Sequence, residues 1–317
     1  MSSRRSFLKR TGAIGLSAFL AAQVSKGETQ NAPGKKRLIR IAHITDVHIN
    51  ESATAVACWR RVLREINSMK DKPDLIVNTG DTVMDENRQT REHVESLWSI
   101  WNTIVKDENK IRMISVLGNH DVWYGPDPTL DAEYKKDERY GKQWAMNMLS
   151  LPARYYSLEL NGWHFIALDS IQGENGYQLD DEQFEWLTDE LGRIKPQNPV
   201  CVLSHVPIIS VGAWMYETKR TQALASKFPS ADMHLDHQRI KDLFYKHNNV
   251  RLCLSGHVHY VDGIEYLGVK YLCNGAVSGN WWRTPLKLDE FPPVYAIIDL
   301  YEDGTSTENI IAYNSAL

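Results

Sequence analysis

Leu38-Ile39-Arg40-Ile41-Ala42-His43-Ile44-Thr45-Asp46-Val47-His48 is the stretch on which the fold turns. Leu38–Thr45 is a short, mostly apolar run that ends abruptly in polar residues, the pattern of a buried strand. Downstream, Ala53–Met69 places Val56, Leu63 and Ile66 on one face at helical spacing. Asp74–Thr79 reads as a second buried strand, residues 89–108 as a helix, and Arg112–Leu117 as a third strand. Strands alternating with helices in this way build a parallel sheet covered by helices, so the chain is assigned to the α/β class.

The rest of the chain continues the theme. Residues 122–149 read as a polar excursion followed by a helix. Tyr155–Leu160 and His164–Asp169 form a strand pair turning at Asn161-Gly162, a dipeptide suited to a tight hairpin. Residues 180–193 and 235–247 are helical in pattern, and 207–233 is a long insertion. Pro199–Ser204, Val250–Ser255, Tyr260–Glu265, Val269–Cys273 and Val294–Tyr301 are strands. No internal repeat or low-complexity tract interrupts them.

Five of these strands end in metal-ligand chemistry. Asp46-Val47-His48 follows the first strand, Gly80-Asp81 the second and Gly118-Asn119-His120-Asp121 the third. His205 follows Pro199–Ser204, and Gly256-His257-Val258-His259 follows Val250–Ser255. Open α/β sheets gather their ligands at the carboxyl ends of strands. A single Asp-x-His or strand-end His is more often a hydrogen-bonding residue than a ligand; five such clusters after five apolar strands change the odds. Carboxylate, imidazole and amide oxygen together suit Mn, Fe or Zn rather than soft copper. Seven such side chains exceed the needs of one tetrahedral ion and suffice for two divalent metal ions sharing a carboxylate.

The ordered set D-x-H, G-D, G-N-H-D, H and G-H-x-H resembles the calcineurin-like metallophosphoesterase superfamily over roughly residues 38–275. The resemblance implies a four-layer α-β-β-α sandwich with a dinuclear metal site. By position it implies that Asp46, His48 and His259 hold one ion, Asp81 bridges, and Asn119, His205 and His257 complete the other. It implies His120 as general acid or transition-state stabiliser, with Asp121 orienting it. The expected activity is phosphoester hydrolysis, first a small organic phosphodiester of the cyclic-nucleotide type. Phosphomonoesterase or protein phosphatase activity is the runner-up. An exported, non-catalytic metal- or ligand-binding module is the alternative from another class.

Other residues carry weaker signals. Trp123-Tyr124, directly after His120-Asp121, and Trp281-Trp282-Arg283, after the strand that follows Gly256–His259, are candidate substrate-binding residues, against the alternative of packing. The insertion, with Trp214, Met215 and Tyr216, reads either as a lid or as a surface excursion. His43 reads as structural and His164 as a strand residue, while His93, His234, His237 and His247 read as helix-surface residues. Ser204 lies beside His205, but no G-x-S-x-G elbow accompanies it, and no Walker-type or G-x-G-x-x-G loop occurs. Cys58, Cys201, Cys253 and Cys273 are dispersed and form no C-x-x-C, so buried free thiols are expected.

The N-terminus is read separately. Ser3-Arg4-Arg5-Ser6-Phe7-Leu8-Lys9-Arg10 precedes twelve small or apolar residues, Thr11–Ala22. The pattern resembles a twin-arginine export signal. It gives three segments: a signal at 1–27, a linker at 28–37 with Pro33 and Gly34, and the phosphoesterase domain at 38–317. Cuts after Ala22 and after Gly27 both fit. The expected location is periplasmic or secreted, reached with the twin-arginine translocation machinery as partner; an uncleaved signal would leave the protein membrane-retained. No membrane span after cleavage and no nucleic-acid polymer as partner are expected. The formal charge of the 317-residue chain is −4. Residues 1–27 carry five basic residues and no acidic one, so the remainder stands near −9. Such an acidic domain draws an anionic substrate only if its centre is locally positive.

Overall fold

The computed structural model describes residues 34–172, 176–215, 232–282 and 291–313. The segment read as an export signal and most of the expected linker therefore lie outside the described residues, as do Tyr216 and Arg283. Two sheets carry the fold. The first has the order β11 (Ser306–Ala312), β10 (Val294–Tyr301), β1 (Arg37–Ile44), β2 (Leu75–Asn78), β3 (Met113–Ser115), and the second β4 (Tyr156–Leu160), β5 (Trp163–Ala167), β6 (Val200–Leu203), β7 (Val250–Ser255), β9 (Val269–Asn274), β8 (Val261–Tyr266).

Strand β1 (Arg37–Ile44) sits between β10 (Val294–Tyr301), antiparallel, and β2 (Leu75–Asn78), parallel, with β3 (Met113–Ser115) parallel beyond it. Alternate side chains of β1 leave by opposite faces. Ile39 and Ile41 join Leu75 and Val77 against Phe165, Leu203, Leu252 and Leu254 of the second sheet. Ala42 and Ile44 face the other way, onto Trp59, Leu63, Trp98 and Trp101. Those four belong to α1 (Ala53–Ser68) and α2 (Arg91–Glu108). Both helices begin where a hydroxyl side chain accepts from a free backbone N–H, Ser52 from Ala55 and Thr90 from His93.

In the second sheet β5 (Trp163–Ala167), β6 (Val200–Leu203), β7 (Val250–Ser255) and β9 (Val269–Asn274) are parallel. Strands β4 (Tyr156–Leu160) and β8 (Val261–Tyr266) close its edges antiparallel. Its outer face is covered by α4 (Asp181–Arg193), through Leu187 and Leu191, and α5 (His237–Lys246), through Ile240, Leu243 and Phe244. The layers run helix, sheet, sheet, helix, the four-layer α/β sandwich expected from the motifs.

Residues 122–149 form the expected excursion followed by a helix; the excursion holds short helical turns at Pro128–Leu130 and Asp131–Tyr134, and the helix is the short α3 (Gln143–Met148). Two points differ from the sequence reading. Strand β11 (Ser306–Ala312) went unread, because its first four residues are polar and the adjacent Ile310 and Ile311 pack into different cores, which leaves no alternating apolar face. His234 is not a helix-surface residue. It is fully buried, with Nε2 3.0 Å from Ser204 Oγ and Nδ1 3.0 Å from Asp236 Oδ1, and it ties the end of β6 to the start of α5. All four cysteines are free and buried. Among the described residues, no helix is long and apolar enough to cross a membrane.

Candidate metal centre

The loops after β1, β2 and β3 meet those after β6 and β7 at one edge of the sandwich. Asp46, His48, Asp81, His257 and His259 all hold a left-handed backbone, with φ between 45° and 68°. Asp and His tolerate that region better than most residues, and backbone bonds hold them in it. Asp46 N–H donates to Gly80 O (3.0 Å), His48 N–H to Asp81 O (3.0 Å), and Ser278 N–H to Asp46 O (3.1 Å). Two glycines permit the close packing. A Cβ on Gly256 would lie 1.9 Å from Thr45 Oγ1, and one on Gly118 would lie 2.1 Å from Asp81 N.

The side chains converge. Asp46 Oδ1 lies 3.2 Å from His259 Nε2, which is 3.1 Å from His48 Nε2. Asp81 Oδ2 lies 3.5 Å from His48 Nε2 and 3.3 Å from His205 Nε2. Asn119 Oδ1 closes the far side, 3.0 Å from His205 Nε2 and 2.9 Å from His257 Nδ1. Asp81 thus stands between a group of Asp46, His48 and His259 and a group of His205 and His257.

The chemistry of this donor set fits divalent cations. His205 Nδ1–H donates to Thr79 O (2.8 Å) and His259 Nδ1–H to Gly279 O (2.6 Å). A ring nitrogen fixed as donor on the outside turns the lone pair of the other inward. The Nε2 atoms of His48 and His259 lie 3.1 Å apart and both face Asp46, a close approach of two ring nitrogens and a carboxylate that a cation between them satisfies.

Charge in the cluster is tightly balanced. Burial opposes ionisation of Asp46, but His259 outweighs it and holds the carboxyl at about 2. Burial likewise opposes Asp81, and His205 and His120 pull it well below the carboxylate range. His205 is disfavoured as a cation by burial, yet Asp81 raises it to about 9. Burial drives His48 and His257 down to about 3, leaving neutral rings of the kind that ligate metals.

His120 faces the cluster from the β3 loop, with Nε2 4.0 Å from Asp81 Oδ2. Its Nδ1 lies 3.2 Å from Asp85 Oδ2, an ion-pair approach rather than an aligned hydrogen bond. Asp121 does not orient His120. One of its oxygens accepts from Thr82 and Val83 N–H, the other from Gly118 N–H, so it fastens the β2 and β3 loops together. Asp85, four residues after Asp81, was missed in the sequence because no regular spacing marks it.

The aromatic candidates separate. Trp281 stacks on His48 with ring centres 5.1 Å apart and meets His120 edge-on at 5.2 Å, so it walls the site. Trp282 is not on the pocket wall; its indole N–H donates to Val47 and His48 carbonyls and clamps the β1 loop. Trp123 is fully buried against Trp144, with its N–H on Gln89 O, and is a core residue. Tyr124 lines a neighbouring cleft.

A four-layer α/β sandwich with an Asp, His and Asn cluster at its strand ends defines a metallophosphoesterase-like protein. The family model for calcineurin-like phosphoesterases matches residues 39–261, and the chain belongs to that family. It is a metal-dependent phosphoester hydrolase. It is 25% identical to the 3′,5′-cyclic-nucleotide phosphodiesterase of Nostoc sp. (strain PCC 7120), over 87% of this chain and 93% of that one. It is 24% identical to the 3′,5′-cyclic adenosine monophosphate phosphodiesterase of Escherichia coli (strain K12), over 86% and 89% respectively. A dimetal phosphatase from Danio rerio shares the fold, with a TM-score of 0.58 at 11% identity over 88% of this chain and all of that one.

Proposed function

We propose that this protein hydrolyses small organic phosphodiesters with two divalent ions, Mn, Fe or Zn. One ion would be held by Asp46, His48 and His259 and the other by Asn119, His205 and His257, with Asp81 shared. The observation that carries this reading is the full-length similarity to two cyclic-nucleotide phosphodiesterases, joined to the convergence of these seven side chains.

When bound, such ions supply Lewis acidity to a phosphoryl group and make a water molecule acidic enough to attack it. The chain supplies the rest. Asp46 and Asp81 stay ionised and give the cluster its negative charge. Burial works against protonation of His120, but Asp81 and Asp85 outweigh it and raise its pKa, so its ring is positioned to hold a proton. With Asp85 beside Nδ1, the Nε2–H is free to reach the departing ester oxygen. Trp281 covers His48 face-on and His120 edge-on from one side of the cleft.

The test is a substrate panel with Mn-loaded protein: bis-p-nitrophenyl phosphate, p-nitrophenyl phosphate and 3′,5′-cyclic AMP. Turnover of the diesters ahead of the monoester supports the proposal, and Asn119→Ala or His205→Ala should abolish it. Faster monoester turnover would mean a phosphomonoesterase. Bound metal with no turnover of any ester would mean a binding module.

We further infer export from Arg4-Arg5-Ser6-Phe7-Leu8-Lys9. Replacing Arg4 and Arg5 with Lys should strand the protein in the cytoplasm; an unchanged periplasmic yield would refute this.

A further inference from the structure

Two clefts open from the metal cluster, and Asn119 lines both. The smaller, about 310 Å³, contains His120, with Trp281, Tyr260 and Phe291 around it. The larger, about 650 Å³, is lined by Arg88, Tyr124, Lys135, Tyr140 and Tyr177 and does not include His120.

An acyclic phosphodiester has two organic arms, and only one departs; in a cyclic nucleotide both ester oxygens sit on one ribose, and the nucleoside stays on phosphorus through the ester that is not cut. The general acid must reach the oxygen of the departing arm, so that arm occupies the His120 side. The arm that stays on phosphorus needs other space, and the larger cleft shares Asn119 with the smaller one but not His120. We propose that this cleft is the subsite for the retained arm, and that it takes a flat, ring-bearing alcohol such as a nucleoside. The inference rests on the phosphodiesterase reading above.

The walls suit that chemistry. Tyr124 and Tyr140 meet edge-on with ring centres 5.7 Å apart. The Arg88 guanidinium lies 5.7 Å from the Tyr124 ring centre and is held by Asp131 at 2.6 Å. Tyr177 packs edge-on against His257 at 4.8 Å, which joins the cleft directly to the cluster. Phenol rings offer faces for a base, and an arginine plane adds a further stacking surface. Arg88 and Lys135 against Asp131 leave the cleft with one net positive charge, so an arm of anionic character is not repelled.

The test uses two diesters with the same leaving group, thymidine 5′-(p-nitrophenyl phosphate) and methyl p-nitrophenyl phosphate, on Mn-loaded full-length protein. The wild type should favour the thymidine ester by about tenfold or more in kcat/KM, the scale of one base stacked on an aromatic ring. Tyr140→Ala and Arg88→Ala should cut that ratio about tenfold, and Tyr140→Phe should retain it. Methyl ester turnover by each variant reports whether it has folded, and Tyr124→Ala provides an independent variant. A ratio that stays within twofold in Tyr140→Ala and Tyr124→Ala overturns the subsite. So does a thymidine preference that is lost in Trp281→Ala instead. If the wild type cleaves neither ester, the phosphodiesterase reading fails and takes the subsite with it. If it cleaves both without preference, that reading stands and the subsite alone is wrong.

Discussion

His120 Nδ1 lies 3.2 Å from Asp85 Oδ2, and the two residues come from the loops after different strands. A carboxylate behind an imidazole fixes the ring and raises its basicity. Asp85→Asn should therefore lower kcat about 10–100-fold on an alkyl ester, where the leaving alkoxide needs the proton from His120. On a p-nitrophenyl ester, whose anion leaves unaided, the loss should be much smaller. Asp85→Glu should recover part of the alkyl ester rate. Steady-state kinetics on the two ester types decide the matter, and equal losses on both would mean that Asp85 merely supports the loop.

The glycines at the strand ends are required by space. A Cβ on Gly256 would lie 1.9 Å from Thr45 Oγ1 and 2.4 Å from Asp46 Oδ2, and both atoms are buried. Neither side chain can yield without moving Asp46 away from His259. Gly256→Ala should fold with reduced stability and lose at least about tenfold in metal affinity. Metal content after gel filtration at limiting Mn is the measurement. Full occupancy in Gly256→Ala would show that the β1 loop relaxes more freely than its hydrogen bonds imply.

Most of the site was legible because its residues follow apolar runs, and an apolar run that ends in Asp, Asn or His is a pattern along the chain. The sheets were legible for the same reason: β7 and β10 match their expected bounds, since both are buried and rich in Val, Ile and Leu. What failed depends on direction in space. Asp121 sits next to His120 in sequence, but its carboxylate turns to the Thr82, Val83 and Gly118 amides. Asp85 is remote in sequence and adjacent in space. Trp123, two residues after Asp121, and Trp281, in the loop after β9, carried the same reading, yet one packs into the helix layer and the other onto His48. Neighbours along a loop can leave it on opposite sides, and no periodicity records which.

Trp281 provides a reporter for the cluster. Its ring centre is 5.1 Å from that of His48 and 5.7 Å from that of His259. A paramagnetic ion beside those rings should quench indole emission. Titrating Mn²⁺ into chelator-treated protein should lower tryptophan fluorescence saturably, and Trp281→Phe should remove most of the change while the bound metal remains. The chain contains ten tryptophans, so the wild-type change should be a minor fraction of the total signal. Quenching that persists in Trp281→Phe would place the ion away from His48.

His43 links stability to pH without being one of the candidate metal ligands. It is buried, with Nε2–H donating to Thr79 Oγ1 (2.9 Å) and Nδ1 accepting from Asn274 Nδ2 (2.9 Å). Burial pushes its pKa down to about 4, against a smaller opposing pull from Asp46. The unfolded chain, with an ordinary imidazole, binds the proton near pH 6.5. Between those two values the unfolded state holds more protons than the folded one, so stability falls as the pH falls. The contribution is complete above about pH 6.5 and shrinks by about 3 kcal/mol on reaching pH 4. His43→Gln removes the titrating ring and retains a side-chain donor. It should be less stable than the wild type at pH 7.5, and the gap should narrow by 1–2 kcal/mol, to order of magnitude, by pH 5. Urea unfolding midpoints for both proteins across this range measure the gap, and the difference between them cancels the buried histidines of the metal cluster. A constant gap from pH 7.5 to pH 5 would mean that His43 keeps an ordinary pKa despite its burial.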